Sequence, residues 1–372
     1  ATIISPSPPY KAWFAADIAH LVTAEVSQAD FISIVGNQSE AEIYFSLDPG
    51  EEAGAWIYLA VSPFYSFLDD VSSSALRACW ITGPEDSMSF LYILVTVDTK
   101  TAIDLLWGPA NEDCPRIVRE EDLADTLWIE EELIAIIPFE RITPEYKVLS
   151  LDNIDPLAID FDISGYPLSL RFNYQVPSGI QINLNYEQFI TNFDPSKLTS
   201  VALTGVTALV RDTANIMENQ GITYPAGDIK DILSGADITH INNEVPFAVD
   251  CPAPEPYQVS LRFCSDDRYI DLLRFIGTDI IELSGDHLGD WGPEAMLHTI
   301  ELYEQKGWII YGGGRTLADG LNPVYLTHNG NRFAFIGCNG KKIDRYATAT
   351  DEDPGAAQCD FKWMIPEITR LA

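Results

Sequence analysis

The chain has 372 residues, 47% of them apolar and 11% aromatic, which is enough for two or three domains with full cores and excludes a disordered chain. Fifty-six acidic against 22 basic residues give a formal net charge of −34, which repels nucleic acid and anionic membrane surfaces and argues against both as partners. No apolar run of about 18 residues is present that would serve as a transmembrane segment.

Taken in chain order, the first residues, Ala1 without a methionine and then Thr2 to Pro9, read as a mature terminus left after a signal peptide is removed. Ala41 to Leu47 and Ala55 to Ser62 are apolar and β-prone, Ser73 to Trp80 is a short helix, and Ser89 to Val97 a buried strand. Thr99 to Trp107 and Arg119 to Trp128 are helices, the second with acidic residues in its first turn. Strands follow at Leu133 to Pro138, Lys147 to Leu151 and Tyr166 to Tyr174, and this alternation predicts an α/β sandwich. Between residues 180 and 200 the pattern breaks around Asn192, Asp194, Pro195 and Ser196, which sets a boundary between a domain over 1–190 and another over 198–372.

Beyond the boundary, Val201 to Val206 is a strand, Arg211 to Asn219 a helix closed by Gly221, and Asp228 to Leu233 a short helix. Ala236 to Ile241 is a strand that runs into Asn242-Asn243-Glu244, and Asp267 to Phe275 is a helix stopped by Gly277. Thr278 to Leu283 is a buried strand and Pro293 to Lys306 an amphipathic helix. Between them Ser284 to Gly292 places Asp286, His287 and Asp290 where a strand gives way to a helix, the position at which α/β sheets build their sites. A strand at Trp308 to Tyr311, a hairpin across Asn329-Gly330 and an apolar helix at Phe361 to Leu371, suited to packing on a partner surface, complete the chain.

Six cysteines without C-x-x-C spacing fit paired disulfides in an extracellular or cell-surface protein. Fifteen connectivities are open, and the nearest-neighbour set, Cys79–Cys114, Cys251–Cys264 and Cys338–Cys359, is preferred. His240 reads as a core histidine or a support behind the site, and His298 as exposed on its helix; His20 and His328 have no chemical neighbours in sequence. Gly312-Gly313-Gly314 reads as a plain strand-to-helix turn, because no lysine follows to make a phosphate loop.

Two resemblances add to this reading. Ala60 to Phe64, Ile136 to Glu140, Lys147 to Asp152 and Tyr166 to Leu170 look like the lobes of a phosphate-type periplasmic solute-binding protein, although no hydroxyl-rich anion loop accompanies them, which favours a spacer or docking domain. In the second half, Leu203 to Thr207 then Arg211, Asn242 to Glu244, Gly285 to His287 with Asp290 and Gly292, and Tyr311 to Gly314 resemble, in order and spacing, the bacterial capsule-synthesis family of CapA type, which serves poly-γ-glutamate synthesis. That resemblance implies a calcineurin-like metallophosphoesterase α/β/β/α fold with a divalent cation, Mn²⁺, Mg²⁺ or Zn²⁺. Carried over by residue, Glu244, Asp286 and Asn243 would be ligands, His287 a ligand or general acid, Asp290 a catalytic partner, and Arg211 and His240 supports.

The sequence departs from the family at three points. Val206 stands where the family has an aspartate, Asp286 replaces an asparagine, and no histidine follows His328 to supply the family's later histidine motifs. A binuclear site is therefore not completed by these residues: the chain is a fragment, or self-association or a carboxyl-terminal fragment finishes the domain, or the domain is no longer an enzyme. The resemblance points to synthesis, export or anchoring of an anionic surface polymer. The alternative is a non-catalytic, disulfide-stapled subunit of a sheath, filament or layer that keeps a vestigial site.

Overall fold

The computed structural model describes residues 7–19, 30–84, 90, 92–130, 132–158, 160–184, 189–341 and 347–371; His20 lies outside them. The chain divides into two compact units, Ala1–Pro195 and Ser196–Ala372.

The amino-terminal unit is built on a ten-stranded mixed sheet. Its spine is β4 (Glu51–Pro63), buried without a break from Ala53 onward, as expected of a central strand covered on both faces. Before it come β1 (Tyr10–Phe14), which the sequence reading did not anticipate, β2 (Ile32–Ile34) and β3 (Ile43–Ser46); after it come β5 (Tyr92–Val95), β6 (Pro115–Ile117), β7 (Leu133–Pro138) and β8 (Ser169–Gln175). The main path runs β2-β1-β3-β8-β4-β7-β5-β6. The predicted strand over 147–151 is two pieces, Tyr146–Val148 on β4 and Ser150–Leu151 on Asp70–Val71, so alternation there marks a strand that changes partner. Helices α1 (Ser73–Thr82), α2 (Val97–Trp107) and α3 (Glu120–Ile129) stand close to their predicted places. The disulfide Cys79–Cys114 ties α1 to the segment entering β6, and buried Trp80 donates its indole N–H to Asp104 and the Gly108 carbonyl.

The carboxyl-terminal unit has a four-stranded parallel sheet in sequence order: β9 (Val201–Thr207), β10 (Ile238–Asn243), β11 (Ile280–Glu282) and β12 (Ile309–Tyr311). Strand alternation sends Ile241, Ile281 and Leu283 to one face, where they pack with side chains of α4 (Arg211–Gln220), α5 (Ile270–Phe275) and α6 (Pro293–Lys306). Helix α6 starts on a proline at its first position and ends at Gly307 in the left-handed region, and it buries Met296, Ile300 and Tyr303, each aliphatic side chain contributing about 1.5–3 kcal/mol. Ile238, Ile280 and Tyr311 face the other way, under the hairpin β13 (Val324–His328) and β14 (Asn331–Phe335). Both faces are thus covered, and the strand ends remain free for loops to build on.

Two expectations need correction here, at Gly312–Gly314 and at His298. The predicted turn at Gly312–Gly314 contains a short antiparallel ladder, Gly313–Gly314 with Gly355–Ala356, before a capped helix at Leu317–Leu321. A Cβ on Gly313 would stand 2.1 Å from the Leu283 carbonyl oxygen, so close backbone approach explains that glycine. His298 is half-buried and bonded by its Nε2 to both oxygens of Asp267, at 2.9 Å, because α6 packs beside the turn into α5. Helix α7 (Phe361–Leu371) forms as predicted but buries none of its residues: Trp363 bonds the Gln358 carbonyl and Arg370 bonds Tyr325, while Phe361, Ile365 and Ile368 stay exposed.

Candidate metal centre

The loops after β10 and β11 bring Glu244, Asp286 and His287 together, with one ligand atom from each lying within 4.8 Å of the others. Glu244 is the first residue past β10 and the His-bearing loop follows β11, its neighbour in the sheet, so parallel pairing puts them side by side. Gly285 closes the gap: a Cβ there would meet the Glu244 Cα at 2.7 Å and its carbonyl oxygen at 2.8 Å. Any larger residue would push Asp286 away from Glu244.

His287 is oriented from behind. Its Nδ1 lies 2.7 Å from Asp290 Oδ2, which also accepts the Phe263 backbone N–H at 2.8 Å. An ionised carboxylate only accepts, so Nδ1 carries the proton and the Nε2 lone pair is left for a ligand, facing Asp286 at 3.9 Å. Asp290 therefore positions the imidazole rather than touching the reacting atoms. Burial, with the Asp286 charge adding to it against His287, holds the Glu244 carboxyl above the usual carboxylate range. Burial works in the same direction on Asp286, but the Lys341 hydrogen bond, the charge that His287 carries when protonated and the Lys341 charge outweigh it and hold Asp286 low. Two carboxylates driven apart in this way, beside an imidazole with a free lone pair, are a donor set suited to a divalent cation.

Asn243, expected as a ligand, is not brought to the cluster. It lies on the helix face of β10, fully buried, and its amide donates to the Val245 carbonyl at 2.8 Å and to the Tyr303 hydroxyl at 2.6 Å. Asn242 lies on the opposite face and donates to Glu282, which also accepts from Ser284 at 2.5 Å. His240, one pair of residues earlier on that face, bonds the Tyr311 hydroxyl at 2.7 Å through Nε2 and stacks on Phe335; burial holds its pKa below the ordinary value, with Glu282 opposing. It belongs to the core under the hairpin, not to the ligands. Arg211 lies over the Phe263 ring at 4.7 Å, and that ring meets His287 edge-on at 4.9 Å, so Arg211 stands one ring away from the cluster. Val206 is 66% exposed on the edge strand and offers no ligand atom.

Sequence reasoning missed Lys341, whose ammonium pairs with Asp286. Its loop is anchored by the disulfide Cys338–Cys359, by the Lys341 N–H on Asn339 Oδ1, and by Gln358 bonding the carbonyls of Asn339 and Lys341. The cysteine pair was the available signal that this distant segment is fixed, but not that it reaches Asp286. The third disulfide, Cys251–Cys264, also has the preferred pairing. In the amino-terminal unit, a cavity of about 470 Å³ is lined by Tyr58, Asp98, Glu120, Glu140 and Arg141 among others, and Arg141 is paired with Glu120 at 3.1 Å. Carboxylates so placed disfavour a phosphate ligand.

The family model described as "Bacterial capsule synthesis protein PGA_cap" matches residues 200–369. Residues 200–369 carry a capsule-synthesis domain of the CapA type. The capsule biosynthesis protein CapA of Bacillus anthracis is 22% identical over 175 residues, covering 47% of this chain and 42% of that protein, so the chain spans less than half of this curated relative. Among solved structures, an ABC-type phosphate transport receptor from Vibrio cholerae is similar at 10% identity and a TM-score of 0.33, over 44% of this chain and 85% of that one. A phosphate ABC transporter substrate-binding protein from Clostridium perfringens is similar at 12% identity and a TM-score of 0.30, over 47% and 87%. No helix among the described residues is long and apolar enough to cross a membrane.

Proposed function

We propose that the chain acts at the cell surface in making an anionic capsular polymer, as a metal-dependent hydrolase of phosphoesterase type centred on Glu244, Asp286 and His287. The observation that carries this reading is the convergence of the three donors with Nε2 of His287 left free by Asp290. A divalent cation held there would supply Lewis-acid polarisation of a phosphoryl or carbonyl oxygen and acidify a water. The protein's own part is to bring the two carboxylates together through Gly285, to fix the imidazole through Asp290, and to offer a proton donor or acceptor at the edge of the cluster. Secretion fits the three disulfides, which persist in oxidising compartments.

The test is isothermal titration of the metal-stripped protein with Mn²⁺, Zn²⁺ and Mg²⁺, followed by phosphodiester and amide hydrolysis assays. Saturable uptake of at least one ion, abolished together with hydrolysis in Asp286→Ala, is expected. No uptake at millimolar metal would sink the enzymatic reading. One observation favours the non-catalytic reading, in which the chain is a subunit of a sheath, filament or layer: the Lys341 ammonium already neutralises Asp286. Lys341→Ala separates the two. It raises metal affinity several-fold if the ammonium only competes for Asp286, and restores no binding if the site is vestigial.

A further inference from the structure

The carboxyl-terminal unit has a cavity of about 320 Å³. Its lining includes Arg211, Arg262, Tyr269, Trp291 and the Cys251–Cys264 disulfide, and Glu255 is its single carboxylate. Two guanidiniums facing one acid is unusual in a chain with 56 acidic and 22 basic residues. Arg211 makes no hydrogen bond or ion pair among the described residues, and its Nε is buried without a partner. Its backbone sits at φ 51°, a left-handed conformation that a non-glycine residue holds only when its surroundings enforce it.

Arg262 is also pre-positioned. Its Nε donates to the Asp290 carbonyl at 2.5 Å and its guanidinium lies over Trp291 at 4.7 Å, while the Trp291 indole N–H is held by Asp250 at 3.2 Å. Cation–π contact with the Phe263 and Trp291 rings holds the two guanidiniums without using their terminal N–H donors. Of the nearby acids, Asp290 is engaged with His287 and Phe263 and Asp250 with Trp291, which leaves Glu255 as the carboxylate lining the cavity.

We propose that this cavity is an oxyanion subsite, in which Arg211 and Arg262 hold a carboxylate or phosphate group of a ligand by charge-assisted hydrogen bonds. The subsite stands on the pocket alone and needs no metal. If the hydrolase reading also holds, on which this extension rests, the anionic group of a substrate would sit one aromatic ring away from the bond presented to His287.

The experiment uses the full chain, stripped with EDTA so that the metal cluster cannot contribute, at fixed ionic strength. Glutarate and inorganic phosphate are titrated separately by calorimetry, with tryptophan fluorescence as a second readout for Trp291. Saturable one-to-one binding of at least one probe is expected, and the tighter of the two identifies the source as carboxylate or phosphate. Arg211→Gln and Arg262→Gln should each weaken it about 10-fold or more. Arg211→Lys, which keeps the charge and loses the guanidinium, should weaken it less than Arg211→Gln. Should Arg211→Gln lose its near-ultraviolet circular dichroism, Arg262→Gln, whose side chain is exposed, carries the test by itself. The proposal is overturned if neither probe saturates by about 20 mM, or if binding survives both glutamine variants unchanged.

Discussion

The placement of Asn243 can be tested by a double-mutant cycle with Tyr303. In the structure the Asn243 amide donates one hydrogen to the Val245 carbonyl and one to the Tyr303 hydroxyl, all within the core. Tyr303→Phe leaves one buried amide hydrogen without an acceptor, a cost of about 1–3 kcal/mol. Asn243→Leu strands the Tyr303 hydroxyl and the Val245 carbonyl and changes the local shape, for a loss of about 2–4 kcal/mol. The double variant replaces both partners of one bond by apolar groups, so it should lose less than the sum, with a coupling of about 1–2 kcal/mol. Urea midpoints of the carboxyl-terminal unit, followed by tryptophan fluorescence and read at unchanged slope, give the four corners of the cycle. Metal affinity measured on the same variants should be unchanged to within a factor of a few. Additive stabilities, together with a metal affinity that collapses in Asn243→Leu, would refute the structural role and return Asn243 to the ligand set.

Other outcomes follow from the same geometry. Asp290→Asn removes the carboxylate that fixes the His287 tautomer and should lower metal affinity about 10–100-fold with Glu244 and Asp286 intact, as calorimetry would show. Because burial holds the Glu244 carboxyl above its unfolded value, the metal-free native state retains a proton that the unfolded state gives up. Its stability should therefore fall as pH rises from the ordinary carboxylate range through the raised value, and Glu244→Gln should remove that part of the slope of denaturation midpoint against pH. Replacing both Cys251 and Cys264 by alanine opens a 13-residue separation and should cost about 3 kcal/mol in denaturant titrations, while removing a wall of the arginine-lined cavity.

Much of this was legible in the sequence because it depends on local pattern. The long buried strand at Glu51–Pro63 and the helix at Pro293–Lys306, with its proline start and glycine stop, announce themselves by periodicity and end signals. That Glu244 and Asp286-His287 lie on neighbouring loops could be read too, since each follows a buried strand. Asn243 was misplaced because strand alternation sends it to the helix face, and motif spacing alone does not say which of two adjacent asparagines faces the loop. His298 was expected in solvent because its partner, Asp267, is 31 residues away on another element.

Most helices and central strands could be taken from the chain alone, because they depend on interactions along a few turns, whereas β1 and the ladder at Gly313–Gly314 could not. Which residues meet depends on how distant segments pack. Gly285 against the Glu244 backbone, Lys341 on Asp286, and Arg211 and Arg262 around one cavity are contacts between segments tens of residues apart. Such contacts are set by parallel strand pairing and by disulfide-anchored loops, and a one-dimensional pattern does not encode that geometry.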